Sequence, residues 1–221
     1  MLQVGTILHG TYKIESYLAS GGFGNTYLAK NIEFDETYAI KEFFVKGVCQ
    51  RDGNSTTISV SNAENTNSFE QQREKFKKEA RRLRSLSNPH IVKVYDLFEE
   101  NGTAYYVMDY VDGENLSARL KRTNAPLAES EVRNYLNQIL DGLEAIHNEG
   151  MFHLDIKPAN IMVDSHDVVK LIDFGASKQQ STVGGATMST GISYTNGYAP
   201  SEQMAQSYDK FGPWTDFYAL G

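Results

Sequence analysis

Apolar and polar residues alternate from Tyr12 to Leu18, and after the interruption Ala19-Ser20-Gly21-Gly22-Phe23-Gly24 a strand-like run resumes over Thr26 to Ala29. This predicts a hairpin closed by a glycine-rich turn. Tyr38 to Phe44 predicts a third strand, with Lys41 set inside an apolar and aromatic run. Residues 46–68 are rich in Asn, Ser, Thr and Gly, with apolar pattern only at Thr57-Ile58-Ser59-Val60, and read as a surface insertion with room for a small hairpin. From Phe69 to Leu86 the spacing of Phe76, Ala80, Leu83 and Leu86 predicts a helix, which Asn88-Pro89 ends. Ile91 to Phe98 and Thr103 to Tyr110 follow as strands across Glu100-Asn101-Gly102.

The composition turns helix-like after Asp112-Gly113, which places a boundary near Val111 to Glu114. Leu116 to Arg122 predicts a short helix. Glu129 to Glu149 predicts a long one, with Val132, Leu136, Ile139, Leu140, Leu143 and Ile146 as its core stripe and Gly150 as its stop. Two short apolar runs come next, Ile161-Met162-Val163 and 168–172, and then residues 176–196, whose low apolar content predicts a mobile loop. Nothing repeats at a fixed period, so a solenoid is excluded. The pattern as a whole is α+β, divided into a strand-rich part, 1–111, with one main helix and the insertion, and a mostly helical part, 112–221.

The chemistry concentrates in His153-Leu154-Asp155-Ile156-Lys157-Pro158-Ala159-Asn160. One loop there can present a carboxylate to accept a proton, an ammonium to offset charge, and an amide to hold a metal, a set that suits phosphoryl transfer. Alone, so short a stretch also admits the reading of a polar turn. Asp173-Phe174-Gly175 adds a second acidic group just after an apolar run, so that two short strands would hold both sets of polar groups on one edge. The glycines at 21, 22 and 24 would let backbone N–H groups approach a polyphosphate, although a plain hairpin turn explains them as well. Lys41 is either an edge-strand solubiliser or a phosphate ligand, and Glu79 either points inward toward Lys41 or faces solvent.

Composition narrows the partners. The chain has 221 residues, 21 basic against 28 acidic side chains and a net charge of -7, which argues against nonspecific binding to nucleic acid or anionic lipid. The N-terminal segment has no signal-peptide pattern and no apolar run is long enough for a membrane span, so the expectation is a cytoplasmic protein with no membrane segment in this chain. The single cysteine, Cys49, excludes an intrachain disulfide and reads as an ordinary free thiol in a polar loop.

These positions, in this order, resemble the eukaryotic-type protein kinases, in wording closest to bacterial serine/threonine members, over about Tyr12 to Gly221. Gly21, Gly22 and Gly24 are similar to the glycine-rich loop, Tyr38-Ala39-Ile40-Lys41 to the lysine strand, Glu79 to the helix glutamate that pairs with that lysine, and 153–160 to the catalytic loop. Asp173-Phe174-Gly175 is the metal-binding triplet unchanged. The resemblance implies a two-lobed fold, with an antiparallel five-stranded small lobe and a helical large lobe. It implies ATP and Mg²⁺ between the lobes and transfer of phosphate to a serine or threonine of a protein. Asp155 would be the base, Lys157 a contact of the transferred phosphate, Lys41 and Glu79 the phosphate-binding pair, and Asn160 and Asp173 the metal ligands. Ala19, Thr26, Ala39 and Met162 would border the nucleotide, Met108 would stand behind the adenine, and Asp109, Tyr110 and Val111 would form the hinge. Thr195 would hydrogen-bond Asp155 and Lys157, Glu202 would pair with an arginine further on, and Asp216 would clamp the catalytic-loop backbone.

The sequence departs from the family pattern at Ala19, in place of the first loop glycine, at Thr26, in place of a valine, and at Leu154, in place of an arginine. The fourth departure is that it stops at Gly221, at the start of the family's central helix. The large lobe would then leave Leu136, Ile139, Leu140, Leu143 and the surroundings of Trp214 uncovered, to be covered by self-association or a partner. Two other readings stand beside an active kinase: a nucleotide-binding, pseudokinase-like scaffold with little turnover, and a small-molecule phosphotransferase of the same superfold.

Overall fold

Ile7–Leu8 (β1) forms a two-residue edge strand that no alternation announces, pairing antiparallel with Tyr12–Gly21 (β2). A computed structural model describes residues 1–21, 24–53, 55–174 and 195–221, without the side chain of Ala63. They fall into two units, one made of residues 1–85 and 93–110, the other of 86–92 and 111–221.

In the first unit β2 continues into Gly24–Asn31 (β3) and Thr37–Phe43 (β4). Cys49–Arg51 (β5) and Ile58–Val60 (β6) make a separate hairpin. Helix Thr66–Ser85 (α1) leads to Val94–Glu100 (β7) and Thr103–Asp109 (β8). The main sheet is antiparallel in the order β1-β2-β3-β4-β8-β7, so β1 makes it six-stranded rather than five-stranded. Register sorts the side chains by face. Lys41 lies opposite Thr26 and Tyr106, and Ala39 opposite Leu28 and Met108, so these share one face. On that face α1 packs Phe69 and Phe76 against Phe43 and Tyr106. The other face carries a core of Leu8, Ile14, Tyr27, Ala29, Ile40, Phe98, Tyr105 and Val107. Helix α1 begins ahead of Phe69 because its first turn, Thr66-Asn67-Ser68, is polar and leaves no periodic signal.

The insertion is more than a polar surface loop. Its β5–β6 hairpin places Arg51 against Glu42, whose side chain is fully buried on the face opposite Lys41. Glu42 also accepts from Asn25 at 3.0 Å, Tyr27 at 3.1 Å and Tyr105 at 2.9 Å. The carboxylate and its burial raise the Tyr27 hydroxyl to about 12, burial being the larger cause. Cys49 is a free thiol, as expected, but instead of lying in a polar loop it is buried at the start of β5, its thiol donating to the Val45 carbonyl at 3.0 Å. Burial pushes that thiol's pKa up.

In the second unit Gly113–Asn115 (β9), helix Leu116–Thr123 (α2) and helix Glu129–Asn148 (α3) precede a hairpin of Ile161–Asp164 (β10) and Val169–Leu171 (β11); Ser201–Met204 (α4) and Pro213–Tyr218 (α5) are short helices. The sheet order is β11-β10-β9, and residues 90–92 run beside β11, with Leu171 N–H donating to the His90 carbonyl at 2.8 Å. The buried line of α3 is Tyr135, Ile139, Gly142, Leu143 and Ile146. Val132, Leu136 and Leu140, expected in the stripe, are more than a third exposed, as are Trp214, Phe217 and Tyr218. The shift follows from Gly142, which lets the chain at His90 and Leu171 close in: a Cβ there would lie 3.2 Å from both. Ile139 and Leu143, expected to lack cover, lie on the Gly142 side and are buried.

Removing one partner of a buried ion pair costs about 3–5 kcal/mol. Arg51→Met should therefore lower the unfolding free energy of the first unit by about that amount, and adding Glu42→Gln should restore much of it. Chemical denaturation of the four proteins of the cycle is the measurement; additive losses would contradict the pairing.

Candidate active site

The β10–β11 hairpin sets the site of the second unit. Ile161 pairs with Leu171, and just beyond that pair Ile172 N–H donates to the Asn160 carbonyl at 3.0 Å, so Asn160 and Asp173 emerge at the same end. The chain before Asn160 turns through a 3₁₀ segment, Pro158–Asn160, whose first residue needs no N–H partner.

Within this loop Asp155 gathers three side chains. Its Oδ2 accepts from Lys157 Nζ and from Asn160 Nδ2, each at 2.8 Å, and its Oδ1 accepts from Thr195 Oγ1 at 2.8 Å. Lys157 Nζ also donates to Thr195 Oγ1 at 2.9 Å. Asn160, 5% exposed, uses the same Nδ2 on the Asp155 carbonyl at 2.8 Å. Both partners are acceptors, so the amide orientation is fixed and its Oδ1 is the atom turned elsewhere. That amide oxygen and the carboxylate oxygens of half-buried Asp173 are each hard donors of the kind that suits Mg²⁺.

Backbone groups are aligned from behind. Asp216, 1% exposed near the start of α5, accepts from His153 N–H at 2.9 Å, Leu154 N–H at 2.8 Å and His147 Nε2 at 2.7 Å. His153 faces the Ile172 carbonyl through Nε2 at 3.1 Å and the Asp155 N–H through Nδ1 at 3.3 Å. A carbonyl only accepts and an amide N–H only donates, so the imidazole is neutral with its proton on Nε2. Burial, the largest cause, holds the His153 pKa below the usual imidazole range. Leu154 has φ +62° and packs with Phe152 and Phe211, flanked by Tyr208.

The first unit carries most of the remaining residues. Ala19 lies opposite Thr26 and Gly21 opposite Gly24, at the mouth of the β2–β3 hairpin; Gly22 lies outside the described residues. Gly24 is required by close approach, since a Cβ would stand 2.4 Å from the Glu42 carbonyl. Lys41, 9% exposed, holds Nζ 5.8 Å from the centroid of Tyr106, the ring that Phe76 of α1 also meets. Glu79 follows Phe76 by three residues on α1 and is half-buried. Met108 is buried next to Asp109, whose carboxylate accepts from Lys93 N–H at 3.0 Å and Tyr95 OH at 2.7 Å. Val111 and Met162 belong to the second unit, Met162 pairing with Asn115 and Lys170. Gly175 and the segment read as a mobile loop up to Tyr194 lie outside the described residues; Thr195 and Asn196, its last two positions, are described. Sequence reasoning missed Gln203, His147 and Tyr106. Tyr106 alone carried a signal, being two residues before the expected adenine-side Met108.

The first unit thus carries a buried lysine on one face of an antiparallel sheet, and the second a loop that groups aspartate, lysine and asparagine. The chain belongs to the protein kinase family: the protein kinase domain matches residues 12–221. It is 32% identical to the serine/threonine-protein kinase PrkC of Bacillus subtilis over 99% of this chain and 30% of that protein, and 34% identical to serine/threonine-protein kinase F of Synechocystis over 97% and 43%. It is 35% identical to mitogen-activated protein kinase kinase kinase 2 of Arabidopsis thaliana over 92% and 29%. The chain thus spans less than half the length of these relatives. A solved structure titled "PpkA-294 apo form" superposes with a TM-score of 0.84 at 29% identity, covering 100% of this chain and 75% of that one. Among the described residues no helix is long and apolar enough to cross a membrane.

A buried neutral histidine with a depressed pKa is protonated in the unfolded chain before the folded one. Below an ordinary histidine pKa of about 6.5 the unfolded state then binds more protons, and stability falls with pH, at no more than about 1.4 kcal/mol per pH unit for one group. Denaturant midpoints between pH 7.5 and 5 should show this decline, and His153→Gln should flatten it; an unchanged slope would rule out His153 as its source.

Proposed function

We propose that this chain transfers the γ-phosphate of ATP to a serine or threonine hydroxyl of a protein substrate. The observation that carries the reading is Asp155, one carboxylate that holds a hydroxyl, Thr195, on one oxygen and Lys157 with Asn160 on the other. A substrate hydroxyl brought to this carboxylate is oriented for attack and gives up its proton to it. As the new oxygen–phosphorus bond forms and the bond to the ADP oxygen breaks, the Lys157 ammonium offsets charge on the transferred group. Asn160 Oδ1 and the Asp173 carboxylate would hold Mg²⁺, which when bound neutralises phosphate charge. Lys41, paired with Glu79, would take the α and β phosphates, and backbone N–H groups at Gly21 and Gly24 would approach them. Ala19, Thr26, Ala39 and Met162 would border the nucleotide, and the backbone of Asp109 and Val111, beside Met108, would bind adenine.

Asp155→Asn should lower transfer of labelled phosphate to a basic protein by about 10²–10⁴-fold while leaving ATP affinity nearly unchanged. Retained turnover in that variant would refute the role. The same assay separates the scaffold reading, for which the unaltered protein would bind ATP and transfer nothing.

Leu154 bears on control. An arginine at this place would gather a phosphorylated residue through charge-assisted bonds, which a leucine closed among Phe152 and Phe211 cannot make. Thr182, Thr187, Ser189 and Thr190, the candidate phosphorylation positions, lie outside the described residues. Phosphatase treatment should leave activity within about twofold; a large loss would count against this account of Leu154.

A further inference from the structure

We propose that Gln203 is a positioning residue for phosphoryl transfer, holding Leu154 in a backbone conformation that a leucine would not keep unaided and so fixing the carboxylate of Asp155. The inference rests on the reading of Asp155 as the base.

Leu154 sits at φ +62°, in the left-handed region. For a residue with a Cβ and no local hydrogen-bonding side chain this region is populated roughly five- to thirtyfold less than the right-handed one. Three contacts oppose relaxation. The Leu154 N–H is held by Asp216 Oδ1 at 2.8 Å, the side chain is packed with Phe152 and Phe211, and the carbonyl accepts from Gln203 Nε2 at 2.6 Å. Gln203 is itself 3% exposed, so its amide is aimed into the protein at a single backbone oxygen.

The carbonyl is the contact that matters for the reacting group. It belongs to the same peptide plane as the Asp155 N–H, which donates to His153 Nδ1 at 3.3 Å. Rotating that plane to relieve Leu154 would break the histidine bond and turn the Asp155 side chain away from Lys157, Asn160 and Thr195. Asp216 restrains only the plane before Leu154, and cannot prevent this. Gln203 restrains the plane after it. The segment that ends in α4 therefore reaches the loop twice, through Thr195 on the carboxylate and through Gln203 on the backbone behind it.

The test is a cycle of Gln203→Met, which keeps length and volume but removes the donor, with Leu154→Gly, which removes the penalty for positive φ. If Leu154→Gly does not fold, Leu154→Asn replaces it, since asparagine also adopts this conformation readily. Labelled-phosphate transfer from MgATP to a basic protein gives kcat, and varying ATP gives KM. Gln203→Met alone should lower kcat about tenfold with KM for ATP within about twofold, and should lower it less than about twofold in the Leu154→Gly background. An equal loss in both backgrounds, or no loss in either, overturns the inference. Absence of transfer by the unaltered protein overturns the reading of Asp155 instead. Thermal midpoints of the same four proteins then carry the inference: Gln203→Met should lower the midpoint clearly in the Leu154 chain and much less in the Leu154→Gly chain, and equal shifts overturn it.

Discussion

The carboxylate of Asp216 accepts from two consecutive backbone N–H groups, of His153 and Leu154, and from the His147 ring, while almost wholly removed from solvent. A loop that must point several side chains at one place cannot also satisfy its backbone in a helix or sheet, and unpaired buried N–H groups cost about 1–3 kcal/mol each. Asp216 meets that requirement from far along the chain. With the backbone held, His153 can fix its tautomer between Ile172 and Asp155, and the loop and the β10–β11 hairpin become one object.

The first unit solves a different problem with the period of a strand. Lys41 and Glu42 are neighbours in sequence and face opposite sides of the sheet. The lysine shares its side with the helix α1 and the ring of Tyr106, over which its ammonium lies. The glutamate, fully buried, is satisfied by Asn25, Tyr27, Tyr105 and Arg51. One strand thereby places two charges of opposite sign on its two faces, each removed from most of the solvent.

Much of this was legible in the sequence. Strands and the long helices show their periods, and Asp155, Lys157, Asn160 and Asp173 are close enough in sequence to be read as one chemical set. What escaped reading was long-range or carried no periodic signal. The edge strand β1 is too short to alternate, the buried line of α3 turns on Gly142, and the contact of Gln203 with the Leu154 carbonyl joins residues with no local relation. Arg51 lies in a stretch of polar residues where nothing distinguishes a guanidinium that will be buried from one that will be solvated. Its partner was hidden as well, since nothing around Glu42 in the sequence marks a carboxylate that will be buried.

The pairing of Arg51 with Glu42 has a consequence for how such a chain can diverge. A descendant that lost the β5–β6 hairpin and kept Glu42 would inherit a buried charge without its counter-ion, and one that lost Glu42 and kept the hairpin would inherit the reverse. Neither single step is easily tolerated, which couples the hairpin energetically to position 42 although the two belong to separate sheets.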